Sequence, residues 1–421
     1  MTTSATPTTT TAGGLRVAQP TVASHLHEYW QRVRGGDLGS LPAVLGLIVL
    51  SLIFSVARET FTSPLNFANL FNQGAQTVFI AMGLIFVLLL GEIDLSAGFA
   101  SGVCGAVMAI LLTNHGWPWY GAIPAALLTG VVIGLVLGLL IAKVGIPSFV
   151  VTLAAFLGFQ GLLLVLLSGG VNISIRDSFV IALNNKNIPV LWSWVLAVVA
   201  VAGYALVQFN RRRARAARGL VTDPAGVVLL RIGGLAVVVL ATTAVLTQER
   251  AVNPAINSLK GVPIVVPIIA AFLILWTFVL GRTTYGRHVY AVGGNTEAAR
   301  RAGIPVDRIR ISVFVIGSFM AAIGGILQVS RASSVDPNTG GSNILLYSVG
   351  AAVIGGTSLF GGKGKIVNAV IGGAVIAVID NGMGLMGFSS GQKFIFTGLI
   401  LLVAASVDAL ARRRAAATGT R

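Results

Sequence analysis

The acidic pair in GEIDLSAG, residues 91–98, is the first place in this sequence where chemistry could sit. Glu92 and Asp94 stand two residues apart at the end of an apolar run. Paired carboxylates suit acid/base work, but no nucleophile or metal set accompanies them. Charges at membrane depth are costly and mark function, whereas at the interface they are cheap. The competing reading is a solvated helix end with Ser96 as its local cap. A second place is IGGTSLFGGKGKIVNAVIGG at 354–373, which approaches a phosphate-binding loop. The nucleotide pattern fails twice: Thr357 stands where its first Gly belongs, and Gly364 follows Lys363 where Ser or Thr is needed. The run reads as a tight turn between helices, and the chain carries no ATP site of its own. A third place is Asp380 and Asn381, a polar pair that either touches a hydrophilic solute or caps a helix. His25, His27, His115 and His288 are scattered, and Cys104 is alone in an apolar run. No catalytic residue, metal or cofactor is expected.

The elements that must position these residues are membrane spans. Apolar types make up 55% of 421 residues, charged types 10%, and mean hydropathy is +0.88. A soluble domain carries about a quarter charged residues, so most of this surface faces lipid. Apolar stretches fall at 41–57, 74–90, 98–113, 120–141, 147–167, 190–209, 227–247, 262–280, 310–329, 344–360, 366–383 and 393–410. The fold class is all-α, a polytopic transmembrane bundle of about 10–12 spans. Gly-rich 98–113 and 344–360 suit broken or re-entrant helices, which lipid tolerates when protein shields them. Gly130, Gly134 and Gly138 form two GxxxG steps that let helix backbones approach closely.

Net charge is +16, with bases in short clusters between apolar runs and no interleaved aromatics, which argues against nucleic acid. Threading the spans with the N-terminus inside places 22 of the 29 Lys and Arg on the cytoplasmic side and 7 outside. Both termini are therefore expected in the cytoplasm. Residues 1–40 form an N-terminal tail, disordered over its Thr- and Ser-rich start. It lacks the basic segment and adjoining apolar stretch of a signal peptide. Residues 41–410 form the membrane domain and 411–421 a basic tail.

The longest polar stretch between spans is 281–310, GRTTYGRHVYAVGGNTEAARRAGIPVDRIR. Asn295 suits an N-cap, Glu297 the first turn, Arg300 and Arg301 the last, and Gly303 the C′ position before Pro305. These residues predict a helix of about two turns, ~10 Å long. It is either a solvated surface helix or a peg that docks into a partner.

Four segments together resemble the permease subunits of bacterial ABC-type monosaccharide importers of the ribose/xylose class. GEIDLSAG is similar to that family's GGIDLSVG element, IPSFVVTLAAFLGFQGLLL at 146–164 to its PSFIVTL segment, 286–308 to its coupling loop, and 353–373 to its Gly-rich signature. The likeness spans roughly 41–410. Glu92, the basic run RRRARAARGL at 211–220 and DNGMGLMG at 380–387 resemble the xylose-type members most. The resemblance implies an importer subunit of the bacterial inner membrane, translocating a monosaccharide, with D-xylose as the first candidate and another pentose or hexose as the alternative. It implies a second copy of the permease, cytoplasmic ATPase subunits and an extracytoplasmic sugar-binding protein as partners, besides lipid. The ATPase-coupling helix falls on Asn295, Thr296, Glu297, Ala298, Ala299, Arg300, Arg301, Ala302 and Gly303. Glu92, Asp94, Leu95, Ser96, Gly361 and Gly362 are signature positions. The sugar path is assigned to Asn72, Gln76, Gln160, Asp380 and Asn381.

Two other classes fit the sequence less well. An ion-coupled secondary transporter needs ionisable groups in mid-span, and here nearly all carboxylates fall at span ends. A membrane-embedded enzyme lacks any metal cluster or Ser–His arrangement. A branched-chain amino-acid permease is a sister possibility that the Glu92 to Ser96 element argues against.

Overall fold

The computed structural model describes residues 39–417 apart from 252, 256 and 257. The expected N-terminal tail over 1–38, with Arg16, Arg32 and Arg34, lies outside the described residues, as do 418–421 and the side chains of Arg412, Arg413 and Arg414. The described residues form α1 (Leu41–Ala57), α2 (Pro64–Leu89), α3 (Ala97–Thr113), α4 (Trp119–Leu139), α5 (Ser148–Leu166), α6 (Ser178–Asn185), α7 (Val190–Ala217), α8 (Ala225–Leu246), α9 (Val265–Arg282), α10 (Thr284–Gly294), α11 (Thr296–Arg301), α12 (Val306–Ala332), α13 (Ser342–Ile354), α14 (Val367–Leu385) and α15 (Ser390–Ala417). The strands β1 (Ile173–Ser174) and β2 (Ser334–Val335) form one short antiparallel pair, with Ile173 opposite Val335. The fold is a polytopic helical bundle, and among the described residues eight helices are long and apolar enough to cross a membrane.

Each of the twelve apolar stretches lies on a helix, though several helices differ from them in extent. The span expected over 344–360 ends at Ile354, because Gly355 and Gly356 (φ +101°) break the helix. Thirteen residues rise only about 20 Å, so α13 cannot cross a ~30 Å core alone. The expected loop over 281–310 is mostly helical, comprising α10, α11 and the first turn of α12. The last span continues as helix to Ala417, through the first part of the expected basic tail.

The described residues divide into two compact units, one holding 194–242 and the other 39–193 and 243–417. In the smaller unit, most of α7 and α8 is joined by a loop where Asp223 pairs with Arg231 at 2.8 Å. The larger unit is centred on α2 and α12, against which α3, α4, α13 and α14 pack. Burial follows composition there. The most apolar windows of α2, α12 and α14 are 89%, 67% and 67% buried, and these helices carry most of the intramembrane amides. The more apolar α5 and α9 are 17% and 11% buried. A helix facing lipid must be apolar all round, whereas one enclosed by protein can satisfy polar groups.

Close approach of α4 to α12 rests on the two GxxxG steps. A Cβ at Gly130 would lie 2.7 Å from Ser318 O, and one at Gly134 2.5 Å from Phe314 O. A Cβ at Gly138 would lie 2.8 Å from Ile311 Cα. The packing role read from the sequence is the one observed.

Candidate functional site

Three stretches that stand far apart in the sequence meet at one end of the larger unit. The Leu89 carbonyl at the end of α2 accepts from Gly362 N at 2.8 Å. Gly293, near the end of α10, lies against both, and a Cβ there would collide with Leu89 O. Tyr290 Oη donates to Gly364 O at 2.7 Å. Burial pushes this phenol above its usual range, so it stays a neutral donor. Gly361 and Gly362 adopt positive φ, +85° and +72°, which lets the loop turn tightly against α10. The Gly-rich run is thus a packing surface for α10, consistent with the turn expected there.

The GEIDLSAG element occupies the same end. Glu92 Oε1 lies 3.1 Å from Arg310 Nε in the first turns of α12. Ile93 is held on both sides by α5: its N donates to Ser148 Oγ at 3.3 Å, and its O accepts from Thr152 Oγ1 at 3.1 Å. Asp94 departs from the solvated reading, being only 2% exposed. The local cap is also the reverse of the expected one. Asp94 Oδ1 accepts from Ser96 N at 2.8 Å and Ser96 Oγ at 2.7 Å, while Ser96 offers α3 no side-chain bond. Burial pushes the Asp94 carboxyl above its ordinary value, against the lowering effect of the Ser96 hydroxyl and the amides of Ser96 and Ala97. Leu95 is half-buried and packs against the cluster of Ile80, Leu84, Ala97, Ala321 and Leu345. Lys143, in the π-helical turn that ends α4, pairs with Asp307 at 3.1 Å.

The helix predicted from Asn295 projects from this end. Asn295 Oδ1 accepts from Ala298 N at 2.9 Å, Glu297 pairs with Arg301 at 3.1 Å, and Gly303 takes φ +82°. Its six residues span about 9 Å. Thr283 caps α10 in the same manner, accepting from Gly286 N at 3.2 Å. Ala299 is the buried residue of α11, while Glu297, Ala298, Arg300, Arg301, Ala302 and Gly303 are exposed and Thr296 is half-buried. The helix therefore rests on one small apolar contact and presents its charged side outward.

Toward the opposite end, a cavity of about 370 Å³ opens between α2, α6, α12, α13 and α14. Of the residues assigned to the sugar path, Asn72, Gln76 and Asp380 line it. Gln76 Nε2 donates to Gln328 Oε1, and the same oxygen accepts from Gly340 N at 3.1 Å. Asp380 pairs with Lys393 at 3.2 Å. Asn381 sits beside the cavity rather than in its wall, exchanging two 2.9 Å bonds with Asn66 and donating to Gln73 Oε1 at 3.2 Å. Gln160 is exposed on α5 and does not join the group. Asn184, Gln328, Arg331 and Tyr347 also line the cavity and were not read from the sequence. Gln328 carried a signal, as an amide in an otherwise apolar span. No cluster of metal-ligating side chains occurs among the described residues.

Comparison with known proteins agrees with this architecture. Residues 66–405 match the family described as branched-chain amino acid transport system / permease component. The chain is 34% identical over 373 residues to the Xylose transport system permease protein XylH of Escherichia coli (strain K12), covering 88% of this chain and 92% of that one. It is 32% identical over 366 residues to the protein of the same name from Haemophilus influenzae, covering 87% and 94%. It is 29% identical over 374 residues to the Ribose import permease protein RbsC of Bacillus subtilis (strain 168), covering 89% and 94%. No solved structure matches.

Proposed function

The chain belongs to the branched-chain amino acid transport system / permease component family, and from that membership we propose that it is the permease subunit of an ATP-driven importer carrying D-xylose across a bacterial cytoplasmic membrane. The observation that carries the sugar is the 34% identity over 88% of the chain to a xylose permease. The 29% likeness to a ribose permease favours ribose as the second reading.

In this reading a separate ATPase supplies the energy, since the only loop resembling a nucleotide site lacks the residues to hold one. Residues Asn295 to Gly303 are the handle that the ATPase grips. The packed frame of Glu92, Asp94, Leu95, Ser96, Gly361 and Gly362 carries its movement into α2, α3 and α12. Two copies of the chain enclose the path, and an extracytoplasmic binding protein delivers the sugar. Both termini lie in the cytoplasm, a placement supported by the 22 to 7 division of Lys and Arg. Within each chain Asn72, Gln76 and Asp380 face the sugar, while Asn381 fixes α14 to α2. Residues 1–40 and 411–421 act as cytoplasmic tails on a membrane domain over 41–410.

Uptake of labelled D-xylose into cells expressing the chain with its cognate ATPase and binding protein tests the substrate. Unlabelled xylose should compete far better than unlabelled ribose. Equal or stronger competition by ribose would move the assignment to the second reading.

A further inference from the structure

Asn184 is one of the amides the sequence reading passed over, and its surroundings fix it in one orientation. Asp177 caps α6 by accepting from Phe179 N at 3.0 Å and Val180 N at 2.9 Å, which sets the short helix in place. At its far end Asn184 N donates to Ser330 Oγ at 3.0 Å. The Asn184 Nδ2 group donates to Leu327 O at 3.1 Å and Asn72 O at 3.2 Å. Carbonyl oxygens only accept, so this nitrogen cannot be exchanged with the oxygen by flipping the amide. The side chain is 2% exposed, and its Oδ1 is left with no partner. Asn72 Oδ1 is likewise buried and unpartnered, and both residues line the cavity of about 370 Å³. A buried acceptor left unmade is costly, so two in one cavity point to a ligand that satisfies them.

The chemistry of that ligand follows from the groups present. Both free oxygens are neutral amide acceptors, which suit hydroxyl donors. The cavity's carboxylate, Asp380, already pairs with Lys393, and the Arg331 guanidinium in the same wall is a donor that suits the oxygens of a hydroxylated solute. The volume falls in the roughly 300–1,000 Å³ range of small-molecule pockets. We propose that this cavity is a recognition site within a single chain for one neutral polyhydroxyl solute of pentose size, with Asn184 Oδ1 as a fixed acceptor for one hydroxyl and the Asn72 side-chain amide as the partner of a second. The proposal rests on the importer reading and adds to it. The permease then selects among sugars a second time, after the binding protein.

The test compares transport of a pentose with that of its mono-deoxy analogues in the complete reconstituted importer. Delivery by the binding protein is common to every arm, so a change in the transport ratio between wild type and variant isolates the permease. Asn72→Leu removes one amide without breaking a side-chain hydrogen bond seen among the described residues. Asn184→Ala removes the other, and size-exclusion profiles report whether each variant folds. A hydrogen bond of ordinary strength predicts that the preference for pentose over one deoxy analogue falls about 2- to 10-fold in Asn72→Leu. If Asn184→Ala folds, its loss should appear with a different analogue. An unchanged ratio in folded Asn72→Leu, as expected if the amides merely hold water, overturns the site. Absence of any ATP-driven pentose transport in the wild type would instead overturn the importer reading beneath it.

Discussion

Glu92 Oε1 stands 3.1 Å from Arg310 Nε, joining the loop after α2 to the first turns of α12. The two side chains are 14% and 28% exposed, so solvent screens the pair only in part. Arg310 lies a few residues beyond the Asn295–Gly303 helix, and Glu92 follows the most buried span. The pair thus ties the loop after α2 to α12, the helix that follows the Asn295–Gly303 segment.

Removing one partner strands the other charge. Arg310→Met should destabilise the protein by about 1–3 kcal/mol, read as a lower thermal unfolding midpoint in detergent. The exchanged pair, Glu92→Arg with Arg310→Glu, should recover much of that loss and of transport. Additive losses in the double variant would mean that the two residues do not act together.

The α11 cap makes a second prediction. Asn295→Ala removes the acceptor for Ala298 N and should cost about 1 kcal/mol of local stability. Changing exposed Glu297 or Arg300 should leave folding intact while uncoupling ATP hydrolysis from uptake. Wild-type transport in both Glu297→Ala and Arg300→Ala would remove this helix from the coupling route.

At the α4–α12 contact, Gly134→Leu forces a side chain into Phe314 O and Val315. Overpacking of this kind costs about 1–3 kcal/mol. Gly158→Leu on α5 is the control, since nothing lies within 4 Å of its would-be Cβ. Comparable melting points for the two variants would show that the close approach does not hold the helices.

The helices were legible because apolar runs and their breaks follow directly from the cost of polar groups in lipid. The α11 helix was legible because each cap residue has a local role that Asn295, Glu297 and Gly303 fill in order. What stayed hidden depends on which face meets which neighbour. Gln160 and Gln76 look alike as amides in apolar runs, yet one faces outward from α5 and the other lines the cavity. Asp94 looked solvated because its cover from neighbouring helices is a tertiary fact, while its bond to Ser96 is local. The early end of α13 was masked by LFGG, which is apolar enough to read as span but folds as a loop against α10.

Glu249 gives a pH prediction. Its Oε1 accepts from Ala251 N at 3.0 Å and Leu259 N at 2.9 Å, and its Oε2 from Ser258 Oγ at 2.7 Å. These bonds, the Ala251 amide foremost, hold the carboxyl down at about 2 from an ordinary 4.5. A depressed carboxylate contributes order above its ordinary value and loses it as pH falls through about 2. Hydrogen exchange at Ala251 and Leu259, corrected for intrinsic rate, should therefore quicken as pH drops from 4.5 toward 2. Glu249→Gln should show fast exchange already at neutral pH. Unchanged protection in that variant would mean that the carboxylate does not order the loop.

The central claim is that this chain forms the path and another chain supplies the energy. Proteoliposomes carrying the purified protein, with and without its cognate ATPase, binding protein and ATP, measure that directly through uptake of labelled pentose. The account predicts uptake only when ATP and the ATPase are both present. Sugar movement by the purified protein alone, or uptake driven by a proton gradient without ATP, would contradict it.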